Sequence, residues 1–280
     1  MKIAVTGASG FIGRHLLAEL SKHSVEILAT TRNSAGLEAW RDKVQILEID
    51  IEQASRAQLE CLARVDVLIH LAWGGLPNYK SRHHFESELP KQYGFLKKLI
   101  ERGLPSLLVA GTCLEYGYQS GELSEECRAL PEEPYAFAKD SLRRQLEFLR
   151  RDHKFSMTWA RLFYIYGEGQ PATSLYPQLM AAASRGDKNF DMSGGEQLRD
   201  YLPVVEVARL LGELARRRVY ARVVNICSGR PVSVRRLVEG WIEDNDWQIG
   251  LNLGSYAYPD YEPMAFWGCR HKLDDLLISE

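Results

Sequence analysis

The chain has 280 residues, enough for one large α/β domain or a core with a small appended lobe. Hydrophobic residues make up 45% and charged residues 26%, and 35 Lys+Arg stand against 37 Asp+Glu with neither sign concentrated. That balance argues against nucleic acid as a partner, which demands a basic face, and no apolar run approaches the ~20 residues of a membrane span. The five cysteines, Cys61, Cys113, Cys127, Cys227 and Cys269, are odd in number and too scattered for a zinc or dithiol pair. No metal is therefore expected. Reduced thiols, and a first strand with no signal peptide before it, lead us to expect a cytoplasmic protein.

The first predicted unit is "KIAVTGASGFIGRHLLAEL". Ile3 to Thr6 reads as a strand buried on both faces, and Leu16, Leu17 and Leu20 form a helical stripe. Between them lie Gly7, Gly10 and Gly13. Gly7 suits the tight turn out of the strand, Gly10 the approach of backbone amides to a pyrophosphate, and Gly13 close packing of helix on sheet. Placed between a strand and a helix at the start of the chain, the triplet points to a dinucleotide held by Gly7, Ser9, Gly10, Phe11, Ile12 and Gly13. The second strand, "VEILATTR" (25–32), ends on Arg32 where a carboxylate would favour NAD. A guanidinium there suits the 2′-phosphate of NADP, which is the preferred cofactor, with NAD possible. "VQILEID" and "VDVLIHLAW" follow as strands, placing Asp50 and Ile51, then Leu71, Ala72 and Trp73, at the edge of the cofactor crevice. "SLLVAGT" (106–112) and "FSMTWARLF" (155–163) complete an alternation of strands and helices. The fold class expected is α/β, a doubly wound parallel sheet (Rossmann-like), with ligands at the carboxyl ends of the strands.

Tyr135 follows Pro134 at a helix start, and Lys139 lies one turn on, on the same face. A nearby ammonium, together with the positive nicotinamide, favours the phenolate, and the same lysine is placed to hold a ribose. Thr112 stands at a strand end, where it shares a substrate oxygen with Tyr135. With a nicotinamide, these three groups suit proton transfer at a carbinol or carbonyl carbon. The adjacent His83 and His84 are expected to be surface residues, since neighbours on a helix point apart and no further ligands are evident.

The segments "TGASGFIG", "HLAW", "GTCLEYG", "YAFAK", "RLFYIYG", "LRDYLPVVEVA" and "NICSG" occur in an order that resembles the extended short-chain dehydrogenase/reductases, the NAD-dependent epimerase/dehydratase group. The resemblance implies catalytic Thr112, Tyr135 and Lys139, a nucleotide-diphosphate sugar as substrate, and Arg199 at its phosphates. It implies further substrate contacts at Cys113, Leu114 and Tyr164. Arg199 has an alternative, an ion pair with Asp200. Tyr164 departs from the Asn often found beside the phosphates, and Glu88 from a structural Asn.

Family members that dehydrate a hexose carry an Asp-Glu pair after the catalytic Thr; here Cys113 and Leu114 follow it. Two enzymatic readings stay open: NADPH-dependent reduction of a C4 ketone on a nucleotide-linked 6-deoxyhexose, and 4-epimerisation on bound NAD. "GTCLEYG", "RLFYIYGEGQ" and "YEPMAFWGCRHKLDDL" resemble CDP-paratose and CDP-abequose synthase-like 4-keto-6-deoxysugar reductases and their dTDP-sugar relatives. A non-catalytic dinucleotide sensor on the same fold is a third reading.

Residues 1–165, with 200–228 returning to them, are expected to form the dinucleotide-binding core. Residues 166–199 and 229–280 are expected to form a small C-terminal substrate-binding lobe, rich in aromatics that include Tyr166, Tyr176, Trp241, Trp247 and Tyr261. Helices near 86–102 and 135–151 carry Leu stripes, and the resemblance implies that this pair makes a homodimer.

Overall fold

The computed structural model describes residues 1–258 and 262–278; Tyr261 lies outside them. Seven parallel strands form the central sheet: β1 (Lys2–Thr6), β2 (Glu26–Thr31), β3 (Gln45–Glu48), β4 (Val67–His70), β5 (Ser106–Thr112), and, after the short β6 (Gly121–Leu123), β7 (Ser156–Leu162), with β12 (Arg222–Ile226) at the edge. The order across the sheet is β12-β7-β5-β4-β1-β2-β3. The chain builds outward from β1 to β3, then returns to the other side of β1 as β4. Ligands of such sheets bind at that reversal.

The sheet is buried on both faces, and its strands alternate between two cores. Ile3, Val5, Val67, Ile69, Leu108 and Ala110 face one core, with α1 (Phe11–Leu20) and α6 (Val204–Arg216). Ala4, Leu68, Leu107, Val109, Met157 and Trp159 face the other, with α2 (Arg56–Ala63), α3 (Leu89–Ile100) and α4 (Pro134–Leu149). Each residue of a strand therefore has its own side to fill. That explains the unbroken apolar runs read from the sequence.

Outside the central sheet the chain makes short paired strands. β8 (Tyr164–Tyr166) pairs with β11 (Tyr201–Pro203), β10 (Leu198–Arg199) with β13 (Val232–Ser233), β9 (Asn189–Met192) with β14 (Gly250–Leu253), and β6 with β15 (Phe266–Gly268). A separate apolar cluster gathers around Leu179, Phe190, Val238 and Trp241, from α5 (Leu175–Arg185), β9 and α7 (Val234–Asp244). Ser233 starts α7 by accepting the Arg236 amide hydrogen bond at 3.1 Å. The last helix, α8 (His271–Ile278), departs from the expected lobe. It buries Leu273 in the sheet core beside α6, because its apolar stripe meets the face that α1 and α6 leave open.

Candidate active site

The crevice opens where β1 and β4 end. Gly7 turns the chain with φ of +67°, and a side chain there would meet the Ala72 amide nitrogen at 2.9 Å. The Gly7 turn and the Leu71-Ala72 segment thus lie in contact, as only a glycine allows. Helix α1 starts at Gly10 with no capping side chain and no acidic residue in its first turn. Its first amides are open to an anion, and the helix dipole favours one. Gly13 is buried against the turn, and Ser9 bonds the Thr31 hydroxyl at 3.0 Å. Phe11 and Ile12 are half-buried on the first turn of α1. Arg32 is exposed just past β2. Asp50 is exposed, its carboxylate accepting the Glu52 amide at 3.0 Å, and Ile51 lines a neighbouring groove of about 640 Å³ with His83 and Lys91.

Below the crevice runs a buried polar chain. The Thr6 hydroxyl lies 2.8 Å from His70 Nδ1, and His70 Nε2 lies 2.9 Å from Gln92 Oε1. The Gln92 amide donates to Glu88 at 2.9 Å. Burial pushes His70 down to about 3, so it is neutral and rigidly oriented. Glu88 also accepts the Gly74 amide at 2.9 Å and pairs with Lys91. Burial alone would raise its pKa, but Lys91, the Gly74 N–H and Gln92 together hold it below the usual carboxylate range. Where the resemblance implies a structural Asn, Glu88 anchors the loop after β4 with a charge.

Tyr135 and Lys139 lie on the first turns of α4, both buried. Lys139 donates to the Ala110 carbonyl at 2.9 Å, and its Nζ stands 4.0 Å over the Trp73 ring and 5.8 Å over that of Tyr135. An ammonium has three donors, so others remain for a ligand. Thr112 ends the same strand two residues past Ala110, its hydroxyl accepting the Leu114 amide at 3.3 Å. The structure therefore brings Thr112 and Lys139 to one strand end. Burial pushes Lys139 down to about 7, partly offset by Glu115 and Glu88. Burial drives the Tyr135 phenol far above its ordinary value, helped by Tyr79, Glu115 and Cys113. Among the protein's own groups desolvation prevails over the ammonium, and the phenol is protonated.

These observations fit a dinucleotide: open helix amides at one end of the crevice, a buried ammonium with spare donors at the other. A model of the NAD dependent epimerase/dehydratase family matches residues 3–227. The chain belongs to this family. It is 27% identical over 275 residues to dTDP-6-deoxy-L-talose 4-dehydrogenase (NAD(+)) of Aggregatibacter actinomycetemcomitans, covering 96% of this chain and 100% of the relative. It is 23% identical over 254 residues to dTDP-4-dehydro-6-deoxyglucose reductase of Escherichia coli, covering 85% and 79%. Among solved structures, MoeE5 in complex with UDP-glucuronic acid and NAD superposes with a TM-score of 0.81 at 27% identity, covering 99% of this chain and 92% of that one. The chain is thus in a family of NAD(P)-dependent oxidoreductases and epimerases of nucleotide sugars.

Beyond Thr112 the chain enters a second buried cluster. Cys113 is buried with Tyr116, Phe163, Cys227 and Phe266, Tyr164 packing beside them, and burial pushes its thiol up to about 12. Leu114 is half-buried next to it. Tyr164 lies 5.1 Å from the Tyr201 ring and 5.9 Å from Phe266. Arg199 is 3% exposed, 4.6 Å over the Phe266 ring, and donates to Glu262 at 2.9 Å. Its ion-pair partner is Glu262 and not Asp200, whose carboxylate caps the Ser228 and Gly229 amides at 2.7 and 2.9 Å.

His84 corrects the surface reading. It is fully buried, accepts the Trp73 indole N–H at 3.1 Å, and bonds the Asn78 carbonyl at 2.8 Å. Its ring stands 5.2 Å from that of Tyr135. Adjacent residues do point apart: His83 is exposed and faces Glu88 at 3.5 Å. Tyr79 is a second residue the sequence did not single out. Its carbonyl accepts the Tyr135 amide at 3.1 Å, and the two rings stand 5.4 Å apart. The loop after β4 therefore closes over the start of α4, with Trp73, Tyr79 and His84 around the phenol.

Proposed function

We propose that the protein reduces the C4 ketone of a nucleotide-diphosphate 4-keto-6-deoxyhexose, with NADPH preferred and NAD(H) accepted. The observation that carries this reading is the Tyr135–Lys139 pair. The phenol is held protonated by burial while the ammonium is held low by the same burial. A protonated phenol is the form a ketone reduction needs, since the alkoxide formed at C4 takes its proton from Tyr135 as the ketone becomes an alcohol. The bound nicotinamide cofactor supplies the hydride. Lys139 holds the cofactor ribose with its spare donors and stabilises the phenolate left behind. Thr112 orients the substrate oxygen toward Tyr135. Gly7, Ser9, Gly10, Phe11, Ile12 and Gly13 would hold the pyrophosphate. Leu71, Ala72 and Ile51 would flank the adenosine, and Arg32 would pair with the 2′-phosphate. Cys113, Leu114, Tyr164 and Arg199 line the sugar-diphosphate side. Cys113 and Leu114 bring no carboxyl after Thr112, which disfavours loss of water from the sugar.

The similarity to a 6-deoxytalose 4-dehydrogenase and a 4-dehydro-6-deoxyglucose reductase supports hydride transfer at C4 of a 6-deoxyhexose. We place the enzyme in the cytoplasm as a homodimer built on α3 and α4. Phe137 and Phe148 stand 49% and 58% exposed three helical turns apart on α4, and Phe85 packs edge-on against Phe137. Among the described residues no helix is long and apolar enough to cross a membrane.

Absorbance assays test the reading. With a nucleotide-linked 4-keto-6-deoxyhexose we expect stoichiometric loss of NADPH. Interconversion of 4-epimers with no net change in absorbance would replace it by epimerisation. Cofactor binding without turnover of any nucleotide sugar would leave a sensor.

A further inference from the structure

Glu115 lies in the single turn of 3-10 helix after β5, Cys113–Tyr116, and its side chain is wholly buried. Three donors meet its carboxylate. Oε1 accepts the Thr112 amide at 2.9 Å and the Trp159 indole N–H at 2.8 Å, and Oε2 accepts Arg161 Nε at 2.8 Å. Arg161 lies 4.3 Å over the Tyr116 ring and 4.0 Å from Asp140, the residue after Lys139. The strand is cut to fit this carboxylate. A side chain at Gly111 would meet the Trp159 indole nitrogen at 2.2 Å and Glu115 Oε1 at 2.6 Å. Three successive residues of β5 thus serve the site: the Ala110 carbonyl takes Lys139, Gly111 leaves room, and the Thr112 amide is fixed from behind.

Stability alone does not call for such an arrangement. A buried ion pair is often no better than an apolar pair of the same size. We propose that Glu115 is the positioning residue of this site, its carboxylate fixing Thr112 and facing Lys139 with a negative charge from behind β5. This rests on the catalytic roles given above to Thr112, Tyr135 and Lys139. The carboxylate's field raises the pKa of both Lys139 and Tyr135. Other groups face the pair: Glu88 before α3, His70 on β4, Tyr79 and His84 on the loop after it, and Cys113 after β5, while Arg161 on β7 pairs with Glu115 and lies 4.0 Å from Asp140 on α4. Only Glu115 among them touches the backbone of Thr112 with its side chain.

Two variants test it. The first readout uses the protein without cofactor or substrate: stability against pH, for each protein minus its Lys139→Met derivative. That difference begins to change at the pH where Lys139 loses its proton in the fold. In Glu115→Gln the onset is expected about one unit below that of the parent. An unmoved onset overturns the proposal. Glu115→Asp keeps the charge and withdraws it by one methylene from the Thr112 amide. Its kcat is expected to fall about tenfold, with KM within twofold and the alkaline limb of turnover in place; parental kcat overturns the proposal. Should Glu115→Gln not fold, Glu115→Asp decides alone. Should the parent protein turn over no 4-keto sugar, the proposed function fails, and the onset in Glu115→Gln still decides the role of Glu115.

Discussion

At Tyr135 and Lys139, burial pushes a phenol up and an ammonium down, one helical turn apart. Tyr135→Phe removes only the hydroxyl. It is expected to lower kcat by about 10³-fold, the range of a general acid, while the cofactor dissociation constant measured by fluorescence stays within a few-fold. Lys139 gives a pH dependence of opposite sign to the usual lysine. Its folded value of about 7 lies below the ~10.4 of an unfolded chain, so between these the unfolded state binds more protons. The burial cost is complete below about pH 7 and is relieved as pH rises toward 10. Urea unfolding of the cofactor-free protein is expected to show stability rising across that window, and Lys139→Met to flatten the rise. The Tyr-Lys spacing and Thr112 were legible in the sequence, because each follows a local rule of helix period or strand end. Tyr79 and His84 were not. Their place beside Tyr135 is set by a backbone bond from Tyr135 to Tyr79 and an indole bond from Trp73 to His84, both products of the tertiary fold. Glu115 stands three residues after Thr112, a readable capping-box spacing. Its burial depends on Trp159 and Arg161, 44 and 46 residues away.

At the scale of elements, α3 shows what pattern reading reaches. Its Leu stripe was legible, but the turn of π-helix before it, His84–Glu88, was not. That wider turn directs Glu88 inward, where it takes the Gly74 amide, Gln92 and Lys91 together. Glu88→Ala leaves those donors unpaired and is expected to cost about 3 kcal/mol of stability by urea unfolding. A loss within error would show that the anchor contributes nothing. The face formed by Phe85, Phe137 and Phe148 carries the dimer proposal. Phe137→Glu is expected to halve the mass seen by sedimentation; an unchanged mass would place the interface elsewhere. At the other end of the chain, α8 was assigned to the lobe because it follows lobe sequence. Leu273 packs into the sheet core instead, a choice made by shape that no local period encodes.

At the scale of the molecule, the strand order puts a crevice at the β1/β4 reversal, where the Gly7 turn meets Leu71 and Ala72. The glycine turn stands at its centre and Arg32 is exposed past β2. If Arg32 meets a 2′-phosphate, Arg32→Ala should lower kcat/KM for NADPH by about 10- to 100-fold and leave that for NADH within twofold, since charge-assisted pairs are worth about 1.5–3 kcal/mol. Equal kcat/KM for both cofactors in both proteins would assign the enzyme to NAD(H). The most direct test of the central claim follows the hydride itself. Reduced cofactor deuterated at its transferable position is incubated with a nucleotide-linked 4-keto-6-deoxyhexose, and the sugar product is analysed by mass spectrometry and NMR. One deuterium at C4, formed about 10³-fold more slowly when Tyr135→Phe replaces the parent protein, is the expected result. A product without deuterium at C4, or labelling at the parental rate by Tyr135→Phe, would contradict the account.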